Sequence, residues 1–197
     1  MRAGLAALLL IATAPGQAQE TAPGLFLKGQ FIVATPQLGD PRFSRTVVYM
    51  LDHSRQGAFG LIINRIFGKG PLESLLKGFG IDSTAEGREV RLHFGGPVEQ
   101  DQVFILHSAD YSLPSTISVD NGIFLTSRRE LLEAIAAGQG PERVLVILGS
   151  SGWGPGQLEG EFARGDWLSA PADKETIFDE DIDGKWDRVT GKAGLKL

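Results

Sequence analysis

The chain has 197 residues, of which 42% are hydrophobic and 22% charged, a composition typical of a soluble globular protein with a sizeable core. It contains no cysteine, which excludes disulfides, thiolate metal sites and cysteine nucleophiles. The formal net charge is −5, and no dense run of Lys and Arg is present. Direct nucleic-acid binding is therefore disfavoured, because its affinity comes mainly from basic side chains on phosphates.

The amino terminus, residues 1–18, has the pattern of a Sec-type signal peptide. One positive charge at Arg2 precedes an apolar stretch over residues 3–12, and small residues lead to a predicted cleavage site after Ala18. The apolar stretch is shorter than the roughly 20 residues of a transmembrane helix, so we expect no membrane span after processing.

Cleavage would leave residues 19–28 as a short flexible lead-in and residues 29–197 as one domain. The protein would then be periplasmic or secreted. The alternative is a wrongly assigned start codon, which would make the protein cytoplasmic.

Three strand-like runs open the predicted domain, over residues 29–36, 45–53 and 57–65, and a hairpin-like link joins the last two. Residues 70–80 predict a short amphipathic helix, because apolar residues recur at helical spacing after Pro71.

Four further runs predict a β-meander, over residues 89–94, 102–107, 115–119 and 122–126. A capping box of Ser127 and Glu130 then predicts a helix that ends near Gly138. The continuous apolar run over residues 143–149 is typical of a strand buried on both faces.

A glycine-rich segment, "LGSSGWGPGQLEGEFARGDWL" over residues 148–168, follows that strand. We expect a glycine loop, a short helix over 155–164, a strand over 166–170 and a last helix that carries Trp186, Val189 and Ala193. The loop lacks the Lys-Ser/Thr of a phosphate-binding P-loop and the third glycine of a dinucleotide fingerprint, since Gln157 stands where each needs another residue. This favours a mainly architectural role, with aromatic residues packed around the turn.

A nucleophile elbow would need Gly-x-Ser-x-Gly, but Trp153 occupies the last position. Ser150 or Ser151 could still act as a nucleophile if a histidine lay within hydrogen-bond reach. The candidates for that base are His53, His93 and His107.

The acidic run from Asp179 to Gly184 matches the opening of a calcium loop, but Thr190 stands where the bidentate Glu is required. A solvated turn in which Asp183 caps the last helix is the favoured interpretation.

Arg65 ends the third predicted strand. It could bind an anionic ligand, and pairing with a carboxylate such as Glu99 is the favoured alternative.

Four long motifs occur in order: "ATPQLGDPRFSRTVVYMLDH", "GAFGLIINR", "FGGPVEQDQVFILHS" and "GWGPGQLEGEFARGDWLSAPAD". Together they resemble the YqgE/AlgH family of bacterial proteins over nearly the whole chain from Gly29. The resemblance implies an α/β (α+β) fold in which a strongly bent mixed β-sheet forms a barrel-like core flanked by helices. It implies no cofactor and no catalytic residues, and one branch of the family carries the label of a transcriptional regulator. Ser150 and Ser151 depart from the Tyr-Ala that the family usually has.

These observations predict a non-enzymatic binding or regulatory protein with a groove for a small ligand or a partner peptide. The groove is predicted to be lined by Arg65, Trp153, Gln157 and Glu159, and no metal or cofactor is assigned. The alternatives are a serine-type hydrolase that uses Ser150 or Ser151, and a transcriptional regulator if the protein is cytosolic.

Overall fold

A computed structural model describes residues 26–82, 88–120 and 122–194. Within these ranges a strongly curled, mainly antiparallel sheet forms a half-barrel that is flanked by five α-helices. The predicted fold class is confirmed. The predicted signal peptide lies outside the described residues, and no helix within them is long and apolar enough to cross a bilayer.

The sheet has ten strands in the described part of the chain: β1 (Gln30–Ala34), β2 (Val47–Ser54), β3 (Gly57–Ile62), β4 (Ile66–Pro71), β5 (Glu89–Phe94), β6 (Val98–Ser108), β7 (Ile117–Asp120), β8 (Ile123–Thr126), β9 (Val144–Trp153) and β10 (Trp167–Pro171). Their order is β10-β1-β2-β3-β9-β6-β8-β7, while β5 pairs with both β4 and β9. The helices are α1 (Leu72–Gly78), α2 (Arg129–Ala136), α3 (Gln157–Ala163), α4 (Lys174–Phe178) and α5 (Lys185–Lys192).

Strand β9 connects two groups of strands. Its first half, to Leu148, pairs in parallel with β5 and antiparallel with β6. Its second half pairs with β3 through Ser151, Gly152 and Trp153. Gly149 separates the halves with a left-handed φ of 74°, a conformation that favours glycine.

The sheet is buried on both faces, because its alternating residues enter different apolar clusters. Phe31 of β1 packs in one cluster with Trp186 and Val189 of α5. Ile32, the next residue, packs in another with Leu158 of α3 and Trp167 of β10. A third cluster holds α1 and α2 against the other end of the sheet.

Several boundaries differ from the predictions. The predicted glycine loop is mostly strand, since β9 runs to Trp153 and only residues 154–156 connect it to α3. The capping box on Ser127 and Glu130 is wrong by one residue: α2 begins after Arg128, whose side chain makes no cap hydrogen bond. The fold also begins before the predicted boundary at Gly29, because Leu27 is already buried.

Candidate functional site

The glycine-rich motif forms a corner, which we call the α3 corner: the end of β9 from Trp153, the link over residues 154–156, helix α3, and Trp167 at the start of β10. Gly156 is the N-cap of α3 and adopts a left-handed φ of 72°. Trp153 and Trp167 pack edge to face with ring centroids 5.9 Å apart, and Phe43 contacts both rings. Three aromatic rings, packed mainly edge to face, therefore form the base of the corner.

Glu161 of α3 binds both indoles of this base. Its Oε2 accepts hydrogen bonds from Nε1 of Trp153 and Nε1 of Trp167, each at 2.8 Å. Its Oε1 accepts a 2.9 Å hydrogen bond from Nε2 of Gln157, one helical turn earlier. Because hydrogen bonds to a carboxylate are stronger than neutral ones, Glu161 ties α3 firmly to the sheet.

The side chain of Gln157 joins the link over residues 154–156 to helix α3. Its Oε1 accepts the main-chain N–H of Gly154 at 3.1 Å, while its amide nitrogen donates to Glu161. Both ends of this side chain are thus occupied within the corner.

Glu159 points away from Glu161, toward strand β2. Its Oε1 lies 3.2 Å from Nε2 of the buried His53. The main-chain N–H of Leu27 donates to Nδ1 of His53 at 3.2 Å, so that nitrogen is the acceptor and the proton of the neutral ring is on Nε2. The Glu159 side chain is 52% exposed, and Phe26 packs edge to face on His53.

The four predicted groove residues do not line a common surface. Trp153 is only 7% exposed, because it forms the buried base of the corner. Arg65 donates to the main-chain oxygen of Ser44 at 2.6 Å, and no hydrogen bond or ion pair joins it to Gln157, Glu159 or Glu99 in the described part of the chain. The predicted Arg65–Glu99 pair is therefore wrong.

The two serines of the hydrolase hypothesis are fully buried and donate to main-chain oxygens. The Ser151 hydroxyl donates to Gly95 at 3.0 Å, and the Ser150 hydroxyl to Val98 at 3.5 Å. Within residues 26–82, 88–120 and 122–194, neither serine is hydrogen-bonded to a histidine, so the nucleophile–base pair of that hypothesis is not formed.

These serines mark a close crossing between the Gly95–Gly96 turn and β9. A Cβ on Gly95 would lie 2.2 Å from the Gly149 oxygen, and a Cβ on Gly96 would lie 2.2 Å from the Ser150 oxygen. Glycine is thus required by backbone contact, which supports the architectural interpretation of the "GG" and "GSSG" motifs.

A second region is a cleft of about 390 Å³ between β5, the first half of β9 and the segment that joins α4 to α5. His93 and the Asp179–Gly184 run were named separately from the sequence, which did not predict that they meet in one cleft. His93 of β5 lines the cleft and is 2% exposed, and its buried Nδ1 has no hydrogen-bond partner among the residues that the structure describes. Burial, together with the nearby charges of Lys185 and Arg91, lowers the pKa of His93 to about 4.

Lys185, the first residue of α5, is fully buried beside this cleft. Its ammonium donates to the main-chain oxygens of Ile177 at 2.7 Å and Ile63 at 3.3 Å. Burial lowers the pKa of Lys185 to about 8. Lys185 thus ties the end of α4 to the end of β3, as cations do at helix C-termini.

The acidic run from Asp179 to Gly184 lies next to Lys185. Arg188 of α5 pairs with Asp179 at 2.7 Å and with Asp181 at 2.8 Å, so a cation of the chain already binds two of the proposed calcium ligands. Gly184 rather than Asp183 is the N-cap of α5, and Asp181 accepts its N–H. The predicted capping role of Asp183 is wrong.

The AlgH-like family model (DUF179) matches residues 31–197. The chain belongs to this family. A UPF0301 protein from Methylococcus capsulatus is 48% identical over 86% of this chain and 92% of its own length. Another from Rhodospirillum rubrum is 41% identical over 86% of this chain and 88% of its own length.

Among solved structures, the AlgH protein from Pseudomonas aeruginosa is 35% identical and superimposes with a TM-score of 0.75 over 91% of this chain and 94% of that chain. A Corynebacterium diphtheriae protein, 20% identical with a TM-score of 0.67 over 83% and 85% of the two chains, shares the fold. Membership of the AlgH-like family fixes the fold and leaves activity to be argued from the site.

Glu161 and His53 are central to the α3 corner, yet the sequence did not predict their roles. The spacing of Gln157 and Glu161, four residues apart on a helix, was the one local signal for their bond. The bonds of Glu161 to Trp167 and of Glu159 to His53 depend on how the sheet curls, which no local pattern encodes.

Proposed function

We propose that the protein is a non-enzymatic binding protein that holds a segment of a partner protein at the α3 corner. The observation that carries the proposal is the double role of α3. Glu161 fixes the helix on two buried indoles, while Glu159, half a turn away, is held at the surface with one carboxylate oxygen bonded to His53. A rigid scaffold that presents an exposed acceptor suits recognition, because little conformational freedom is lost on binding.

The exposed groups indicate the chemistry of the partner. The described residues give the second carboxylate oxygen of Glu159 no hydrogen-bond partner. Phe26, which packs on the same His53 ring, is 53% exposed. An Arg or Lys of the partner could donate to Glu159 and lay its apolar stem on Phe26.

Nuclear magnetic resonance tests this site through the indole N–H signals of Trp153 and Trp167. The probe is the blocked tripeptide acetyl-Leu-Arg-Leu-amide, and its matched control carries neutral citrulline in place of Arg. We expect the Arg peptide to shift both indole signals and the His53 ring signals. Glu159→Gln should remove the response, while Glu175→Gln on the exposed face of α4 should keep it.

Equal responses to the Arg and citrulline peptides, or an unchanged response in Glu159→Gln, would contradict the proposal. The proposal would also be contradicted if neither indole N–H signal shifts at any peptide concentration.

We also propose that residues 1–18 direct export, so that the partner belongs to the cell envelope. Fractionation of the native host followed by sequencing of the mature amino terminus tests this. A periplasmic product that starts near Gln19 supports export. An uncleaved cytosolic product contradicts it and makes intracellular regulation, including regulation of transcription, the leading hypothesis.

A further inference from the structure

The cleft beside His93 lies apart from the α3 corner and contains one buried polar atom, Nδ1 of His93, that has no partner among the described residues. Its lining is mixed: six apolar residues, among them Val144, Phe178 and Ile182, are accompanied by six charged or polar ones. Its volume of about 390 Å³ falls in the range of small-molecule sites, roughly 300–1,000 Å³. Apolar and charged groups therefore meet in this cleft, which suits a ligand that has a charged head group and an apolar chain.

The carboxylates at the edge of the cleft are already neutralised or face water. Glu89 pairs with Lys69, and Asp179 pairs with Arg188. The Glu180 side chain is 87% exposed, and its carboxylate lies 3.5 Å from Arg91. Each lining carboxylate is therefore paired with a cation or turned to water, and Arg91 is paired only with the exposed carboxylate of Glu180.

Arg91 and His93 remain as the groups able to bind a ligand. One guanidinium nitrogen of Arg91 donates to the main-chain oxygen of Glu180 at 3.2 Å, which leaves most of its five N–H donors unused. Nδ1 of His93 has no partner among the described residues, and the charges that act on this ring come from the cations Lys185 and Arg91. An anion would supply the missing negative charge.

We propose that this cleft binds a small organic anion, whose carboxylate or phosphate group is held by Arg91 beside His93 and whose apolar part packs on Val144, Phe178 and Ile182. Arginine suits this role because its planar donors match two oxygens of a carboxylate or phosphate. The positive charge of the buried Lys185 favours the same ligand from behind the ring.

The test is a titration of the full-length protein, in which the imidazole carbon signals of the three histidines are followed by nuclear magnetic resonance. The probes are hexanoate, hexyl phosphate and the neutral hexanol, which share one apolar chain. We expect at least one of the two anions to shift the His93 signals while His107 stays unchanged, and the stronger of them identifies the head group. Hexanol should leave His93 unchanged.

Arg91→Gln should weaken binding of that anion on the order of tenfold, the loss of one charge-assisted contact. Arg55→Gln, in the turn between β2 and β3, is the matched control and should bind as the wild type does. Since the Arg91 side chain is 39% exposed, its replacement should leave the fold intact, which the melting temperature checks.

No shift of His93 with either anion would overturn the proposal, as would an equal response to hexanol or an unchanged affinity in Arg91→Gln. Glu159→Gln should bind the anion normally, so failure at the α3 corner and failure at this cleft are distinguishable.

Discussion

The α3 corner and the His93 cleft differ in how completely their buried polar atoms are paired. In the corner, two indoles, an amide and a carboxylate satisfy one another. In the cleft, Nδ1 of His93 is buried without a hydrogen-bond partner. In the described part of the chain the other buried side-chain atoms without a partner are Nε of Arg188 and Oγ1 of Thr190, both on α5.

This difference shows that the most conspicuous motif of the sequence is not where the unpaired polar groups lie. The tryptophans, glycines and glutamates of the motif are the residues that suggest a site, yet most of their polar atoms are used to build the fold. Unpaired buried groups are uncommon in folded proteins and call for a physical explanation. The strand "EVRLHF", which carries no conspicuous motif, therefore holds a buried polar atom that the described part of the fold leaves unpaired.

The largest effect should come from the close crossing between the Gly95–Gly96 turn and strand β9. Gly96→Ala places a Cβ 2.2 Å from a main-chain oxygen at a φ of 144°, so neither the side chain nor its neighbour can move easily. We expect the free energy of unfolding to fall by about 4 kcal/mol, measured by urea denaturation. Gly39→Ala, where nothing lies within 4 Å of the added Cβ, is the control. Equal losses of unfolding free energy in the two variants would contradict the claim that backbone contact requires glycine at position 96.

Glu161→Leu should break the pairing of the corner by leaving two buried indole N–H groups without an acceptor. We expect a loss of about 3 kcal/mol in the free energy of unfolding, because each unsatisfied buried donor costs roughly 1–3 kcal/mol. Glu161→Gln retains one oxygen for the indoles and should lose about 1 kcal/mol. A Leu variant as stable as the Gln variant would show that the carboxylate is not the centre of the corner.

Burial of His93 in the cleft should make the free energy of unfolding depend on pH. Because the pKa of His93 is about 4 in the folded protein and near 6.5 when unfolded, the unfolded chain binds the proton first as the pH falls. Stability is therefore lost between pH 6.5 and 4, by up to about 3 kcal/mol.

Urea denaturation at several pH values measures this slope, and His93→Gln should flatten it. Burial also lowers the pKa of His107, so His107→Gln serves as the comparison. A wild-type slope in His93→Gln would contradict the assignment.

The smallest effect should come from Glu159→Gln. Its contact with His53 is half exposed, and such pairs contribute about 0–1 kcal/mol. We expect a change within about 0.5 kcal/mol in the free energy of unfolding, alongside the loss of peptide binding proposed above. A loss near that of Glu161→Leu would make Glu159 a structural residue.

The sequence predicted those elements whose signal is local. The hairpin of β2 and β3, the helix α2 and the last helix with Trp186 and Val189 all follow hydrophobic periodicity, and the structure confirms them. Strand β4, "IFGKGP", was missed because two glycines and a proline have low β-propensity. Its pairing with β5 supplies the stabilisation that its own residues lack.

The extent of β9 was underestimated for a related reason. Glycines normally end a strand pattern, but here β9 continues through Gly149, which lets the Gly95–Gly96 turn approach the backbone, and through Gly152, which pairs with Phe59 of β3. Likewise, α4 is five residues long and too short for a helical period to show. The candidate site depends on such contacts between distant segments, which explains why Trp153 was predicted as a groove wall and proved to be buried.

The position of β9 in the chain has a consequence for biosynthesis. As the strand that bridges β3, β5 and β6, it starts at Val144, so the sheet cannot close until the ribosome has made nearly three quarters of the polypeptide. Until then the edges of the earlier strands stay unpaired, which favours chaperone binding and delays compaction. Such a nascent chain remains unfolded, as passage through a translocon requires, for longer than a chain that folds from its amino-terminal end.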